Sequence, residues 1–169
     1  MRLSHLMQGM ETDAPVGTAD PEIEAIVCDS REVCEGCLFV CVAGERFDGH
    51  DFAAEAVRCG AKAVLAERRI DLEGAPLLLV PSTRRALARL ALRWEGNPER
   101  NLGLVGVTGT NGKTTVTFLL SAIVEAAGEK AGMMGTLGSF VGGERISVTG
   151  LTTPGPLELA ADLRRMVEA

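Results

Sequence analysis

Tyrosine is absent from this 169-residue chain, tryptophan occurs once and phenylalanine five times. Hydrophobic residues still make up 46% of it, so the core must be aliphatic, as in parallel sheets covered by Ala- and Leu-rich helices. Runs of Lys and Arg are missing too. With 17 basic against 23 acidic residues the formal net charge is −6, and no nucleic-acid partner is expected. No apolar stretch approaches the roughly 20 residues that cross a bilayer, which argues against membrane insertion. Histidine is confined to His5 and His50. The five cysteines are odd in number and follow no secretory segment, so the reducing cytosol is the expected, cytoplasmic compartment. Cys34-Glu-Gly-Cys37 has the spacing of a redox or zinc pair. It has no second pair to complete a site, and these cysteines read as ordinary thiols.

What remains is an alternation of short apolar runs and helical periods. Ile26-Val27-Cys28, Leu38–Val42, Lys62–Ala66 and Leu77–Val80 have strand length. A helix is expected over Phe52–Cys59, capped by His50 or Asp51 and stopped by Gly60. A second, over Thr83–Trp94, carries Leu87, Leu90, Ala91 and Trp94 on one side and ends at Glu95-Gly96-Asn97-Pro98. Trp94 is expected to pack one domain against the other. The polar segment Gly96–Asn101 marks the boundary, giving domains over residues 1–97 and 98–169. The second series opens with an expected strand, Leu102–Val107, then a helix over Thr114–Ala127 with Phe118, Leu119, Ala122 and Ile123 as its apolar face. Phe140-Val141 and Ile146–Val148 flank Gly142-Gly143 as a hairpin. A last helix starts near Pro156, with Leu157, Leu159, Leu163, Met166 and Val167 as packing positions. The class is α/β. The second series lacks most of a doubly wound sheet, so a longer polypeptide is expected.

Between that strand and helix stands Gly109-Thr110-Asn111-Gly112-Lys113-Thr114-Thr115. Glycines let successive backbone N–H groups face one anion without Cβ collisions. The following helix adds its free N-terminal N–H groups and the positive end of its dipole. Lys113 suits the β- and γ-phosphates, and the Thr114 hydroxyl suits a magnesium ion. Thr115 is placed to back up either one. The usual motif has glycine five positions before Gly112, where this chain has Val107. The strand–loop–helix context still points to a phosphate loop for ATP with Mg²⁺. A dinucleotide fingerprint fits less well, because Lys113 and Thr114 follow the final glycine and no acidic residue ends a second strand.

The loop resembles that of the Mur ligases, which join amino acids to the UDP-muramoyl precursor of peptidoglycan. Folylpolyglutamate and cyanophycin synthetases have a similar loop. Further stretches resemble Mur ligases that take a UDP-muramoyl-dipeptide: Asp29-Ser30-Arg31, Gly36–Val40, Gly44, Asp48–Phe52, Gly60–Ala63, and Leu151-Thr152-Thr153-Pro154 with Leu157-Glu158-Leu159. The resemblance implies a small N-terminal α/β domain that binds the UDP substrate. The beginning of a phosphate-loop central ATP-binding domain would follow it. Gly109, Thr110, Asn111, Gly112, Lys113, Thr114 and Thr115 would hold ATP, with Lys113 catalytic and Thr114 on the metal. Ser30, Gly44, Asp48, Gly49, His50, Thr152 and Thr153 would contact the UDP-muramoyl-dipeptide, and an amino acid would be the second substrate. Read without the resemblance, Ser30 and Asp48 are turn formers and Thr152-Thr153-Pro154 leads into a helix. Another amide ligase of the superfamily, or a nucleotide-binding module without chemistry, are the alternatives.

Overall fold

Four apolar runs pair in the order in which they occur. In the computed structural model, which describes residues 1–12, 20–44, 46–148 and 154–169, the chain divides into two units, Met1–Arg93 and Trp94–Ala169. The first unit holds β1 (Ala25–Val27), β2 (Cys37–Val40), β3 (Ala63–Ala66) and β4 (Leu77–Leu79), all parallel, in the order β1-β2-β3-β4. Among the described residues, three helices accompany them: α1 (Leu3–Met7), α2 (Ala53–Arg58) and α3 (Thr83–Trp94).

Alternation decides the two faces of this sheet. Cys37, Phe39, Cys41, Val64 and Ala66 form one cluster with Ala53 and Ala56 of α2. The alternate set, Leu38, Val40 and Leu65, is fully buried as well. A parallel sheet buried on both faces needs such continuous apolar strands. Phe39 is the largest fully buried side chain, and burying a ring of that size contributes about 1.5–3 kcal/mol. Leu87, Leu90 and Ala91 are the buried stripe of α3.

The expected helix over Phe52–Cys59 is shorter and differently started. A 3-10 turn, Gly49–Phe52, precedes α2, and Asp48 rather than His50 or Asp51 caps it by accepting the His50 N–H. Asp and Asn favour this position because their carboxylate or amide oxygen reaches an N–H two residues ahead.

The second unit contains α4 (Lys113–Ala126), an antiparallel sheet of β5 (Gly132–Gly135), β6 (Gly138–Val141) and β7 (Glu144–Ser147) in the order β5-β6-β7, and α5 (Pro156–Glu168). The hairpin expected at Gly142-Gly143 is present, and these residues take φ of +54° and +83°. Positive φ at both central positions matches the twist of a two-residue hairpin turn. Pro156 occupies the first turn of α5, and Glu158 accepts the Gly155 N–H at 3.2 Å. Asp162, buried in α5, accepts from Ser139 at 2.5 Å and Ser147 at 2.7 Å, tying the helix to β6 and β7.

Two expectations fail in this unit. Leu102–Val107 forms no ladder among the described residues. Strand character requires a partner for the backbone groups, and β5 pairs with β6 instead. The expected core face of α4 is exposed: Phe118 is 43%, Leu119 59% and Ile123 65% accessible. Amphipathic spacing places residues on one side of a helix, but burial needs a second layer against that side. On α5, Leu163 is buried as expected, whereas Val167 is exposed.

Candidate functional site

Gly109–Thr115 form a bend whose shape rests on two glycines. Gly109 has φ of +150°, and Gly112, in the left-handed region at +76°, is the N-cap of α4. The Gly112 carbonyl accepts the Val116 N–H at 2.9 Å, which closes the first helical turn. The N–H groups of that turn have no acceptor within the helix. No acidic residue stands in the first turn to offset the positive end of the dipole. Lys113 opens α4, one residue earlier than expected, and its ammonium donates to the Gly109 carbonyl at 2.6 Å and to that of Thr110 at 3.4 Å.

A polar cavity of about 310 Å³ lies over this bend, lined by Thr110–Thr115 and by Thr136 from the turn after β5. Lys113, Thr114 and Thr136 also line an adjoining cavity of about 330 Å³, which Met134, Phe140 and Leu159 bound on its apolar side. The first cavity suits an anion held by N–H groups and hydroxyls; the second offers an apolar wall beside it. Thr136 was not foreseen, because its place depends on β5 folding back towards the loop. Phosphate groups fit the donor set of the first cavity. For a magnesium ion the Thr114 hydroxyl is a suitable single ligand. Among the described residues no group of three His, Cys, Asp or Glu side chains could hold a metal.

Ser30, Gly44, Asp48, Gly49 and His50 follow the carboxyl ends of β1 and β2, the edge of a parallel sheet where ligands of open α/β sheets bind. After β1, Asp29 caps a 3-10 turn, Ser30–Glu32, and binds the Arg31 guanidinium at 2.9 and 2.5 Å. Those Arg31 bonds, together with its N–H, hold the Asp29 carboxyl down at about 2. Ser30 is half-buried in this turn.

After β2 the chain makes a hairpin-like excursion. Ala43 bridges to Asp48, Gly44 N–H donates to the Phe47 carbonyl at 2.8 Å, and Gly49 N–H to the Val42 carbonyl at 3.0 Å. Gly49 is required here, since a Cβ would come within 2.7 Å of the Val42 nitrogen. Arg84 donates to the Ala43 carbonyl at 2.5 Å, and Phe47 stands 73% exposed at the tip.

His50 belongs to the 3-10 turn that Asp48 caps. Its ring is buried, with Nδ1 2.5 Å from Asp48 Oδ1 and Nε2 accepting the Glu67 N–H at 3.0 Å. Bonds from His50 backbone and ring, then from Arg68, hold the Asp48 carboxyl at about 2. Glu67 in turn accepts from the N–H and hydroxyl of buried Thr83, at 2.8 and 3.0 Å. Glu67, Arg68 and Thr83 were missed, although their positions just past β3 and β4 were a usable signal. Thr152 and Thr153 lie outside the described residues.

Two family models match the chain. Residues 22–95 match the family described as Mur ligase family, catalytic domain, and residues 107–169 match the Mur ligase middle domain. The chain is 47% identical over 160 residues to the UDP-N-acetylmuramoyl-L-alanyl-D-glutamate–2,6-diaminopimelate ligase of Syntrophomonas wolfei, covering 94% of this chain and 32% of the relative. It is 44% identical over 168 residues to the Bacillus cereus protein of that name, covering 99% and 34%. The chain therefore spans about a third of the length of these curated relatives. A solved structure of such a diaminopimelate ligase has the same fold, with a TM-score of 0.67 over 99% of this chain and 34% of its own, at 22% identity. The UDP-N-acetylmuramoylalanyl-D-glutamyl-2,6-diaminopimelate–D-alanyl-D-alanyl ligase from Acinetobacter baumannii covers 73% of this chain and 27% of its own, at TM-score 0.54 and 31% identity.

Proposed function

This chain belongs to the Mur ligase family, and on that premise we propose that it carries the nucleotide-binding parts of an ATP-dependent amide ligase. The ligase adds diaminopimelate, named in its relatives, to UDP-N-acetylmuramoyl-L-alanyl-D-glutamate. In this reading Ser30, Gly44, Asp48 and Gly49 shape the edge that receives the UDP moiety. Gly109–Thr115 receive the triphosphate, and Thr152 and Thr153 approach the muramoyl part.

The observation that carries the proposal is the bend itself. Left-handed Gly112 starts a 14-residue helix with no acid in its first turn. Beside it stands a lysine whose ammonium is within reach of the bend. N–H donors, a helix dipole and a cation converge on one cavity.

The chemistry is acyl activation. A carboxylate oxygen of the UDP-muramoyl-dipeptide forms a bond to the γ-phosphorus of ATP, the bond to the β-γ bridging oxygen breaks, and ADP leaves. The amine of the amino acid then attacks the acyl carbon, phosphate departs with the electron pair, and the amine gives up a proton. Lys113 exchanges its carbonyl partners for phosphate oxygens and balances charge on the transferring group. Magnesium, when bound through Thr114 and further ligands, supplies additional charge neutralisation. The adjoining apolar-walled cavity suits the acceptor, since it shares Lys113, Thr114 and Thr136 with the phosphate cavity.

Calorimetric titration of the 169-residue chain with ATP, with and without Mg²⁺, tests the reading. Saturable 1:1 binding that strengthens with Mg²⁺ supports it; no binding at millimolar ATP contradicts it. ADP release in the presence of both substrates is expected to be absent from this chain alone, which spans about a third of its relatives.

A further inference from the structure

His50 lies at the centre of a polar relay that no ligand needs to touch. Its ring is 2% exposed, and both nitrogens are committed. Nε2 accepts a backbone N–H from Glu67, so the ring proton resides on Nδ1 and points to Asp48, 2.5 Å away. The relay continues from Glu67 Oε1 to the N–H and hydroxyl of Thr83 at the start of α3. Three separate connections at the carboxyl edge of the sheet are thereby joined: the excursion after β2, the segment after β3 and the corner after β4. Asp48 is the shared hinge. It caps the turn that His50 belongs to, bridges to Ala43 across the excursion, and binds Arg68 at 2.9 Å. Ala43, Gly44, Arg46 and Phe47 of the excursion are exposed, so its angle to the sheet depends on what grips its base.

We infer that His50 is a positioning residue for the nucleotide-binding edge: its buried ring fixes the Ala43–Asp48 excursion against β3 and α3 and never contacts the ligand. This rests on the proposal that the edge receives the UDP moiety. Preorganising a loop raises affinity by removing the ordering cost from the binding step. Loss of one buried hydrogen bond, at about 1.4 kcal/mol, corresponds to roughly tenfold in affinity.

Two substitutions separate the arms of the relay. His50→Asn keeps an amide near Nδ1 to donate to Asp48 and leaves the Glu67 N–H without its acceptor. His50→Gln reaches the Nε2 position to accept from Glu67 and releases Asp48. Each variant of the chain is titrated with UDP-N-acetylmuramoyl-L-alanyl-D-glutamate and, separately, with ATP. The expected result is about tenfold weaker binding of the UDP compound in each variant, with unchanged ATP affinity. Amide exchange should accelerate at Gly44 and Phe47 while remaining slow in β2.

Wild-type affinity in both variants overturns the inference and leaves the UDP reading standing. If the wild-type chain does not bind the UDP compound, the reading and the inference fall together. Should either variant not fold, the ring nitrogens of the wild-type chain decide the matter by NMR. One protonated Nδ1, unchanged when the UDP compound is added, supports a positioning role; a ring whose resonances move as those of a contacting group overturns it.

Discussion

The Lys113 ammonium lies 2.6 Å from the carbonyl oxygen of Gly109, folded back onto the bend that precedes its own helix. A cation resting on neutral carbonyls is poised to exchange them for anionic oxygens, because charge-assisted bonds are the stronger. Lys113→Ala should therefore weaken ATP binding by about 1.5–3 kcal/mol, roughly ten- to a hundredfold, while shifting folding stability by less than about 0.5 kcal/mol. Paired calorimetry and thermal melts check both halves. Equal ATP affinity in the variant would remove the lysine from the phosphate site.

Acid should loosen the first unit over a defined interval. The Asp48 carboxyl falls from 3.8 to about 2 in the folded chain, chiefly through bonds from His50. A depressed value means that the ionised form is favoured by folding. The stability it contributes is complete above pH 3.8 and disappears as pH falls towards 2. Asp29 behaves in the same way through Arg31. Urea denaturation at pH 5, 3 and 2 should show a progressive loss that is shallower in Asp48→Asn. An equally steep loss in that variant would assign the acid sensitivity elsewhere.

Glycine positions should differ sharply in tolerance. A Cβ at Gly49 meets the Val42 backbone at 2.7 and 2.9 Å, and one at Gly138, where φ is +107°, collides with the Ser147 carbonyl. Gly143 has φ of +83° but open space around it. Gly49→Ala and Gly138→Ala should each cost at least about 2 kcal/mol, against about 1 kcal/mol for Gly143→Ala. Denaturant midpoints give the ranking, and equal losses at all three would contradict the packing described.

Legibility tracked how local each cause was. Leu38–Val40 and the stripe Leu87, Leu90 and Ala91 announce buried elements by composition and period alone. Gly142-Gly143 fixes a turn within four residues. The glycine bend before Lys113 was readable for the same reason. Leu102–Val107 carries the residue types of a strand, yet strand formation depends on a partner from another part of the chain. Gly132-Met133-Met134-Gly135 shows no alternation, and only its pairing with β6 reveals it as strand. The family resemblance alone put His50 at the substrate edge, and nothing local in the sequence shows what its ring bonds to. Its ring partners within the chain, Asp48 and Glu67, include one 17 residues away that no local pattern connects.

Thiol reactivity should divide the cysteines by depth. Cys37 and Cys41 are fully buried, and burial pushes the Cys41 thiol up to about 12. Cys34 and Cys59 are exposed. Iodoacetamide at pH 8 should label Cys34 and Cys59 in the native chain and reach Cys37 and Cys41 only after unfolding. Mass mapping reads this directly; rapid native labelling of Cys41 would contradict a closed core beneath β2.

The most direct test of the phosphate-loop assignment is an amide-resolved NMR titration of the chain with an ATP analogue that cannot be hydrolysed, in the presence of Mg²⁺. The account predicts that the largest shifts fall on the backbone amides of Gly109 to Thr115, with Thr136 following. Saturable binding that leaves those amides unmoved, and perturbs another surface instead, would contradict it.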